Sequence, residues 1–106
     1  MNKGNLFEAI PADLEKEVLE VLIENDNIRI ERIISNGHTS PESGWYDQEQ
    51  NEWVTVLKGE AVLEFEEGES LHLGKGDYLE IPSRKRHKVS RTSSEHETIW
   101  LAVHYR

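Results

Sequence analysis

The segment EWVTVLKGEAVLEF, residues 52–65, has the alternation of a β-hairpin. Val54 and Val56 lie on one face of any strand formed here, and Glu52 shares that face. Beyond the tight turn at Lys58-Gly59, apolar side chains alternate with glutamates. The pattern predicts two paired strands that turn one face toward a core. Glu52 then faces that core, where a carboxylate must be neutralised by a cation, hydrogen bonds or a proton.

Similar signals recur on both sides of this hairpin. Further short strands are predicted at 28–34, 71–73, 78–81, 87–91 and 98–104, with glycine-rich turns between several of them. Many short strands at close spacing indicate an all-β sandwich or barrel. Alternate residues of each strand fill the interior of a small barrel, so Glu52 and His87 are candidates to point inside together.

The N-terminal part is less regular. Pro11 and Asp13 predict a one-turn helix over 11–16, and alternation at 19, 21 and 23 then favours a strand, although apolar residues at 14, 18, 21 and 22 also fit a longer helix. We therefore predict two parts: an arm with a short helix and a strand over residues 1–27, and a barrel over residues 28–106.

Composition excludes several classes of protein. The 106 residues suffice for one compact domain. Without cysteine there is no disulfide, thiolate zinc site or cysteine nucleophile. The net charge of −9 argues against nucleic acid as a partner. No apolar run approaches the ~20 residues of a membrane span, and the start does not resemble a signal peptide, so we expect a cytoplasmic protein with no membrane partner.

One basic segment, residues 84–88, departs from this acidic background, and Arg91 follows it. A solvated basic loop is the favoured interpretation. Alternatively, Arg84, Arg86 and Arg91 form an electropositive lip that steers a small anionic substrate inward. The same arginines offer a cation that would neutralise a buried Glu52 without any metal.

The spacings resemble those of the cupin superfamily, whose first motif ends in a metal-binding Glu, six residues and a Gly. Glu52 and Gly59 match that spacing. The second motif has Gly, five residues, Pro, four residues and His, which matches Gly76, Pro82 and His87 in GDYLEIPSRKRH. The closing TIWLAVHY, residues 98–105, is similar to the last strand of small single-domain cupins. The resemblance implies a jelly-roll-like double-stranded β-helix over residues 28–105.

The sequence departs from the cupin pattern in the first motif. Two histidines normally precede the Glu, but here Trp45 and Asp47 occupy those positions. Arg84 and Arg91 replace a small glycine and a terminal asparagine of the second motif. The segment SPESGWYDQ, residues 40–48, resembles that of a group of small bacterial cupins in which WYDQ replaces the histidine pair.

The resemblance implies a divalent metal site with a reduced donor set. Glu52 and His87 match metal-ligand positions, and Asp47 does so by substitution. Such a set suits Fe, Mn, Ni or Zn. His38 and His104 are further candidate ligands, with surface-loop and strand-end histidines as the alternative interpretation, and Gln48 offers a carbonyl oxygen. His72 and His96 are interpreted as solvent-facing.

Three functional hypotheses remain open. In the first, the protein is a metal-dependent enzyme of the oxygenase, isomerase/epimerase or decarboxylase type, or Glu52 and His87 work without metal as an acid–base pair, with Tyr46 as a further proton donor. In the second, it binds a small molecule between Trp45, Tyr46 and Trp100 without catalysis. In the third, it is mainly a structural barrel that pairs with itself; the resemblance implies a homodimer, through residues 18–23 or the face bearing Trp53 and Leu57.

Overall fold

The computed structural model describes residues 1–40 and 44–106, so residues 41–43 of the SPESGWYDQ segment lie outside the described residues. Two antiparallel sheets form the fold, as the alternation in the sequence predicted. The strands are β1 (Val18–Glu24), β2 (Ile28–Ser35), β3 (Asn51–Lys58), β4 (Glu60–Phe65), β5 (Ser70–Gly74), β6 (Tyr78–Ile81), β7 (His87–Thr92) and β8 (Thr98–Tyr105).

The larger sheet has five strands in the order β1-β2-β8-β3-β6, and the smaller has three in the order β5-β4-β7. Apolar residues from both sheets form the core, as expected for packed sheets. They are Val54, Val56, Ala61, Leu63, Phe65, Leu73, Ile81, Trp100 and Ala102. The burial of Val54 and Val56 confirms that the face of β3 that carries Glu52 points inward.

The turn between β3 and β4 requires a glycine at position 59. Gly59 has a φ of +86°, which disfavours any residue with a side chain. A Cβ atom there would lie 2.7 Å from Thr98 Cα and 2.9 Å from the Glu97 carbonyl oxygen. The backbone of the turn therefore packs directly against the start of β8.

The predicted helix over residues 11–16 is wrong, and the described residues contain no helix. Consequently, none of them forms a helix long and apolar enough to cross a membrane. The segment instead follows a bent path that side chains from the region of β2 hold in place. The Ser35 hydroxyl donates to Glu17 Oε2 at 2.7 Å, and His38 Nε2 lies 3.2 Å from the Glu15 carbonyl oxygen, to which it donates.

Arg32 anchors the first residues of the arm against the outer face of β2. Its guanidinium donates to the carbonyl oxygens of Leu6 at 3.1 Å and Glu8 at 2.6 Å, and it pairs with the Glu20 carboxylate on β1. The Arg32 side chain is 4% exposed. Both faces of β2 are thus covered, the inner one by the barrel and the outer one by the arm.

Candidate functional site

A row of polar side chains crosses the larger sheet at one end. Arg29 on β2 is opposite His104 on β8, and His104 is opposite Glu52 on β3. The next inward-facing row contains Glu31 on β2, whose Cα partner on β8 is Ala102. Further along these strands, the inward-facing side chains are apolar, as at Trp100. The register of three neighbouring strands therefore concentrates the interior charges at one end of the barrel.

His87, the first residue of β7, reaches this row from the smaller sheet. Its Nε2 atom lies 3.4 Å from Glu52 Oε1, and both side chains are largely buried. The His87 Nδ1–H donates to the Lys85 carbonyl oxygen at 2.8 Å, which fixes the ring and directs Nε2 toward Glu52. Gln48 Nε2 also donates to Glu52 Oε1, at 2.9 Å. The backbones of Tyr46 and His87 exchange two hydrogen bonds, which bring the WYDQ segment over the site.

The two buried groups shift each other's protonation in opposite directions. Burial alone would raise the pKa of Glu52, but the hydrogen bond with His87, the charges of His104 and His87 and the Gln48 amide hold it below its ordinary value. Burial alone would lower the pKa of His87, but its contacts with Glu52 and the Lys85 carbonyl raise it. Glu52 is consequently a carboxylate at neutral pH, and the protonated form of His87 is more favoured than in a free histidine.

A second imidazole–carboxylate pair lies beside the first. His104 Nε2 donates to Glu31 Oε1 at 2.8 Å and lies 4.0 Å from Glu52 Oε2. Arg29 Nε lies 3.3 Å from Glu31 Oε2. His104 Nδ1 is buried and has no hydrogen-bond partner in the described part of the chain. Glu52 thus contacts both imidazoles, and the four side chains form a continuous chain from His87 to Glu31.

These groups open onto a cavity of about 230 Å³ between the two sheets. Polar residues from β2, β3, β7 and β8 meet apolar residues from the core at its wall. The lining consists of Glu17, Leu19, Arg29, Glu31, Ile33, Tyr46, Gln48, Glu52, Val54, Leu63, Ile81, His87, Val89, Trp100 and His104. The predicted site residues Tyr46, Gln48, Glu52, His87, Trp100 and His104 are therefore brought together.

Sequence reasoning missed Arg29 and Glu31. In β2 the isoleucines at 28, 30 and 34 lie on the face opposite to Arg29 and Glu31. The arm covers that face, so its apolar character does not report the barrel interior. The sequence feature that indicates the inner face of β2 is the charged pair Arg29 and Glu31, at alternate positions of a largely apolar strand.

Other predicted site residues lie outside the cavity. Asp47, predicted as a ligand, instead accepts hydrogen bonds from Arg84 and Arg86, each at 3.3 Å, and the bond from Arg84 holds its pKa below the ordinary value. Arg91 pairs with Glu60 at 2.9 Å, and Arg86 also contacts Glu66. The arginines of the predicted lip therefore have carboxylate partners on the surface.

Trp45 and the remaining histidines do not line the cavity. Lys88 Nζ lies 4.5 Å from the centroid of the Trp45 ring, and Trp45 does not line the cavity. The His38 ring accepts a hydrogen bond from the Asn36 amide and donates to the arm, away from Glu52. His72 and His96 are exposed, as the sequence predicted.

A family model described as "Cupin domain" matches residues 33–104. The chain belongs to the cupin family. A Ralstonia eutropha JMP134 protein named a "putative mannose-6-phosphate isomerase" shares 42% identity over 99% of this chain and 98% of its own, with a TM-score of 0.94. An RmlC-like cupin from Desulfovibrio desulfuricans shares 22% identity over 98% of this chain and 96% of its own, with a TM-score of 0.76, which supports the fold alone. No curated protein matches the chain.

In this cupin, two of the four motif positions for metal ligands face the cavity. Glu52 and His87 do so, whereas Trp45 and Asp47 do not. No group of three or more histidine and acidic side chains within residues 1–40 and 44–106 is arranged around one ion position. One feature nevertheless suits a metal: a ligating histidine usually donates its second ring N–H to a carbonyl or carboxylate, as His87 Nδ1 does to Lys85. Among the described residues, Glu52 and His87 are therefore the two motif residues that could hold a divalent ion from the cavity side.

Proposed function

We propose that this cupin binds a small polar molecule in the barrel cavity, beside a divalent metal ion held by Glu52 and His87, and catalyses a proton-transfer reaction of the isomerase type. The observation that carries the proposal is the orientation of His87. Its Nδ1–H is engaged by the Lys85 carbonyl, so its Nε2 faces the cavity next to a buried carboxylate. A nitrogen and an oxygen 3.4 Å apart are at the spacing of two ligands of one ion with bonds of about 2.1 Å.

The protein supplies few ligands in this proposal, so the bound molecule contributes the others. Gln48, next to Glu52, offers an amide oxygen once its side chain turns. A carboxylate–imidazole–amide set favours Mn, Fe, Ni or Zn over soft ions. Once bound, the ion would polarise a carbonyl or hydroxyl group of the ligand.

The His104–Glu31 pair is the candidate for moving the proton. The 2.8 Å hydrogen bond to Glu31 orients the His104 ring at the cavity wall, and the carboxylate stabilises an imidazolium if His104 accepts a proton. Glu31 and His104 are only 6% and 5% exposed. Their burial excludes water that would compete for the proton. The name of the 42% identical relative, a "putative mannose-6-phosphate isomerase" in its own description, supports a reaction of this class.

A second candidate is ligand binding without metal or turnover. The pairing of Glu52 with His87 and of Glu31 with His104 favours this candidate. In each pair the imidazole compensates the charge of the buried carboxylate, so no metal ion is required for that purpose. In this case the apolar wall formed by Val54, Leu63 and Trp100 would supply most of the binding energy.

Elemental analysis of untagged protein, purified without chelator, tests the proposal. We expect near-stoichiometric Fe, Mn, Ni or Zn that is lost in Glu52→Gln and in His87→Ala. The matched controls are Glu60→Gln and His72→Ala, which alter the same two residue types in an exposed pair 3.1 Å apart and should keep the metal. Metal absent after dialysis against added ions, or retained in Glu52→Gln, would contradict the metal site.

The reaction class has its own assay. Mannose 6-phosphate incubated with the metal-loaded protein in D₂O should exchange a carbon-bound proton next to the carbonyl for deuterium, as NMR detects. His104→Gln should abolish this exchange while keeping the metal. Saturable binding without exchange in the wild-type protein would support the binding-only candidate instead.

A further inference from the structure

Arg29 differs from the other arginines near the site because it lies inside. Among the described residues that line the cavity it is the one basic side chain besides the histidines. It is partly accessible, with 33% of the side chain exposed. Its Nε atom is buried 3.3 Å from Glu31 Oε2, and no hydrogen bond within residues 1–40 and 44–106 occupies this atom or the two terminal amino groups. The guanidinium is therefore ion-paired on one edge and has N–H donors available for a ligand.

The exposed edge of a guanidinium is suited to oxyanions. Two parallel N–H donors match the spacing of two oxygens of a carboxylate or a phosphate. The arginines that the sequence suggested for this task are neutralised elsewhere: Arg84 and Arg86 by Asp47, and Arg91 by Glu60. Arg29 is thus the arginine whose charge is directed into the cavity.

The register fixes how far Arg29 is from the paired acid and imidazole. Arg29, His104 and Glu52 are consecutive across β2, β8 and β3, so the Cα atoms of Arg29 and Glu52 are roughly 10 Å apart. The cavity of about 230 Å³ is smaller than the 300–1,000 Å³ that is typical for drug-sized ligands. A ligand that spans this row is consequently a small metabolite with its charged group at one end.

We propose that Arg29 binds the carboxylate or phosphate group of the ligand and so directs the other end of the molecule toward Glu52 and His87. The location of the reacting end rests on the proposed function, whereas oxyanion binding at Arg29 does not. Three carboxylates from the described part of the chain also line the cavity. Glu31 is paired with both His104 and Arg29, whereas Glu17 and Glu52 would repel an anion, which favours a ligand whose anionic end stays beside Arg29.

NMR of the arginine side-chain N–H groups tests this inference with inorganic phosphate and malonate as probes, titrated at constant ionic strength. We expect a saturable shift of the Arg29 Nε–H signal and none at Arg91. Arg29→Gln should weaken binding by about tenfold or more, since a hydrogen bond to a charged group is lost. Arg29→Lys should weaken binding less, because the positive charge remains although the two parallel N–H donors of the guanidinium are lost.

Non-saturable shifts that are equal at Arg29 and Arg91, or unchanged affinity in Arg29→Gln, would overturn the inference. Arg91→Gln is the matched control and should bind both probes like the wild-type protein. Glu52→Gln separates this result from the metal proposal. It should keep or improve phosphate binding even if it loses the metal, whereas Arg29→Gln should keep the metal.

Discussion

His87 Nε2 lies 3.4 Å from Glu52 Oε1 and so joins the first residue of β7 in the smaller sheet to β3 in the larger one. The two residues are 35 positions apart in the chain. Because the contact is buried, its ionisation is coupled to folding, and the stability of the protein depends on pH through it.

In chelator-treated protein we expect this pair to stabilise the fold most between pH 4.5 and 6.5, the ordinary pKa values of the two groups. The pKa of Glu52 is lowered on folding, so its contribution is present above 4.5 and is lost as the pH falls through the folded value. The pKa of His87 is raised, so its contribution is present below 6.5 and is lost as the pH rises through the folded value.

Urea unfolding at several pH values, compared between wild type and Glu52→Gln, measures this window. The NMR titration of the His87 ring is a direct check. In Glu52→Gln the burial remains but the carboxylate is gone, so the pKa of His87 should fall. An unchanged His87 titration would show that the two side chains are not coupled.

Removing His104 should destabilise the protein. His104→Ala leaves the buried Glu31 carboxylate with Arg29 Nε, at 3.3 Å, as its remaining charged partner. We expect a loss of about 3 kcal/mol in the free energy of unfolding, measured in urea. His72→Ala, at an exposed site with a similar carboxylate partner, should change stability by at most about 0.5 kcal/mol. Equal effects at the two sites would mean that Glu31 does not depend on His104.

Substitution of Gly59 should lower the free energy of unfolding by more than the positive φ of this residue alone explains. Gly68 also has a positive φ, +103°, but nothing lies within 4 Å of a Cβ built there. Gly68→Ala should therefore lose about 1 kcal/mol in the free energy of unfolding. Gly59→Ala has the same penalty and in addition meets the backbone of β8, so about 3 kcal/mol should be lost. If the two variants unfold at the same urea concentration, the close approach to Thr98 is not a constraint.

We further propose that two copies pair through β1, the edge strand of the larger sheet. Leu19, Val21 and Ile23 are 53%, 50% and 56% exposed, and β2 occupies one edge of β1 while no described strand pairs with the other. An antiparallel pair of such edges is self-complementary, as a twofold dimer requires. Sedimentation velocity should show a dimer at micromolar concentration.

The position of the interface can be tested with two lysine substitutions at opposite edges of the same sheet. Val21→Lys should produce a monomer, because a charged lysine on an edge strand opposes edge-to-edge pairing. Tyr78→Lys on β6, next to Trp53, should leave the dimer intact. The reverse result would place the interface on the face of Trp53 and Leu57, and a wild-type monomer would remove the proposal.

The fold was predictable because the alternation of apolar and polar residues directly reports which face is buried. Val54, Val56, Leu63 and Phe65 are all in the core, as the segment 52–65 indicated. The helix at 11–16 failed for a physical reason. A single turn is unstable unless packing or capping supports it, and here the Glu15 carbonyl is used by His38 instead.

The sequence predicted six of the residues that line the cavity. Glu52 and His87 follow from the two motifs and meet as expected, and the other four are Tyr46, Gln48, Trp100 and His104. Arg29 and Glu31 precede the motifs in a strand with two covered faces, so alternation could not identify the inner one. Asp47 shows a different limitation of the motif. It occupies a ligand position in the sequence, but its carboxylate pairs with two nearby arginines.

The row of Arg29, His104 and Glu52 has a consequence for how proteins with this barrel can diverge. The charged groups lie at one end of β2, β8 and β3, whereas the packing that specifies the fold lies further along the same strands. If Arg29 binds the ligand as proposed, a change at position 29 alters the charge offered to the far end of that ligand without removing an apolar contact of the core. The ligand preference of the barrel would then change through single substitutions at the end of β2 while the packing of the core is retained.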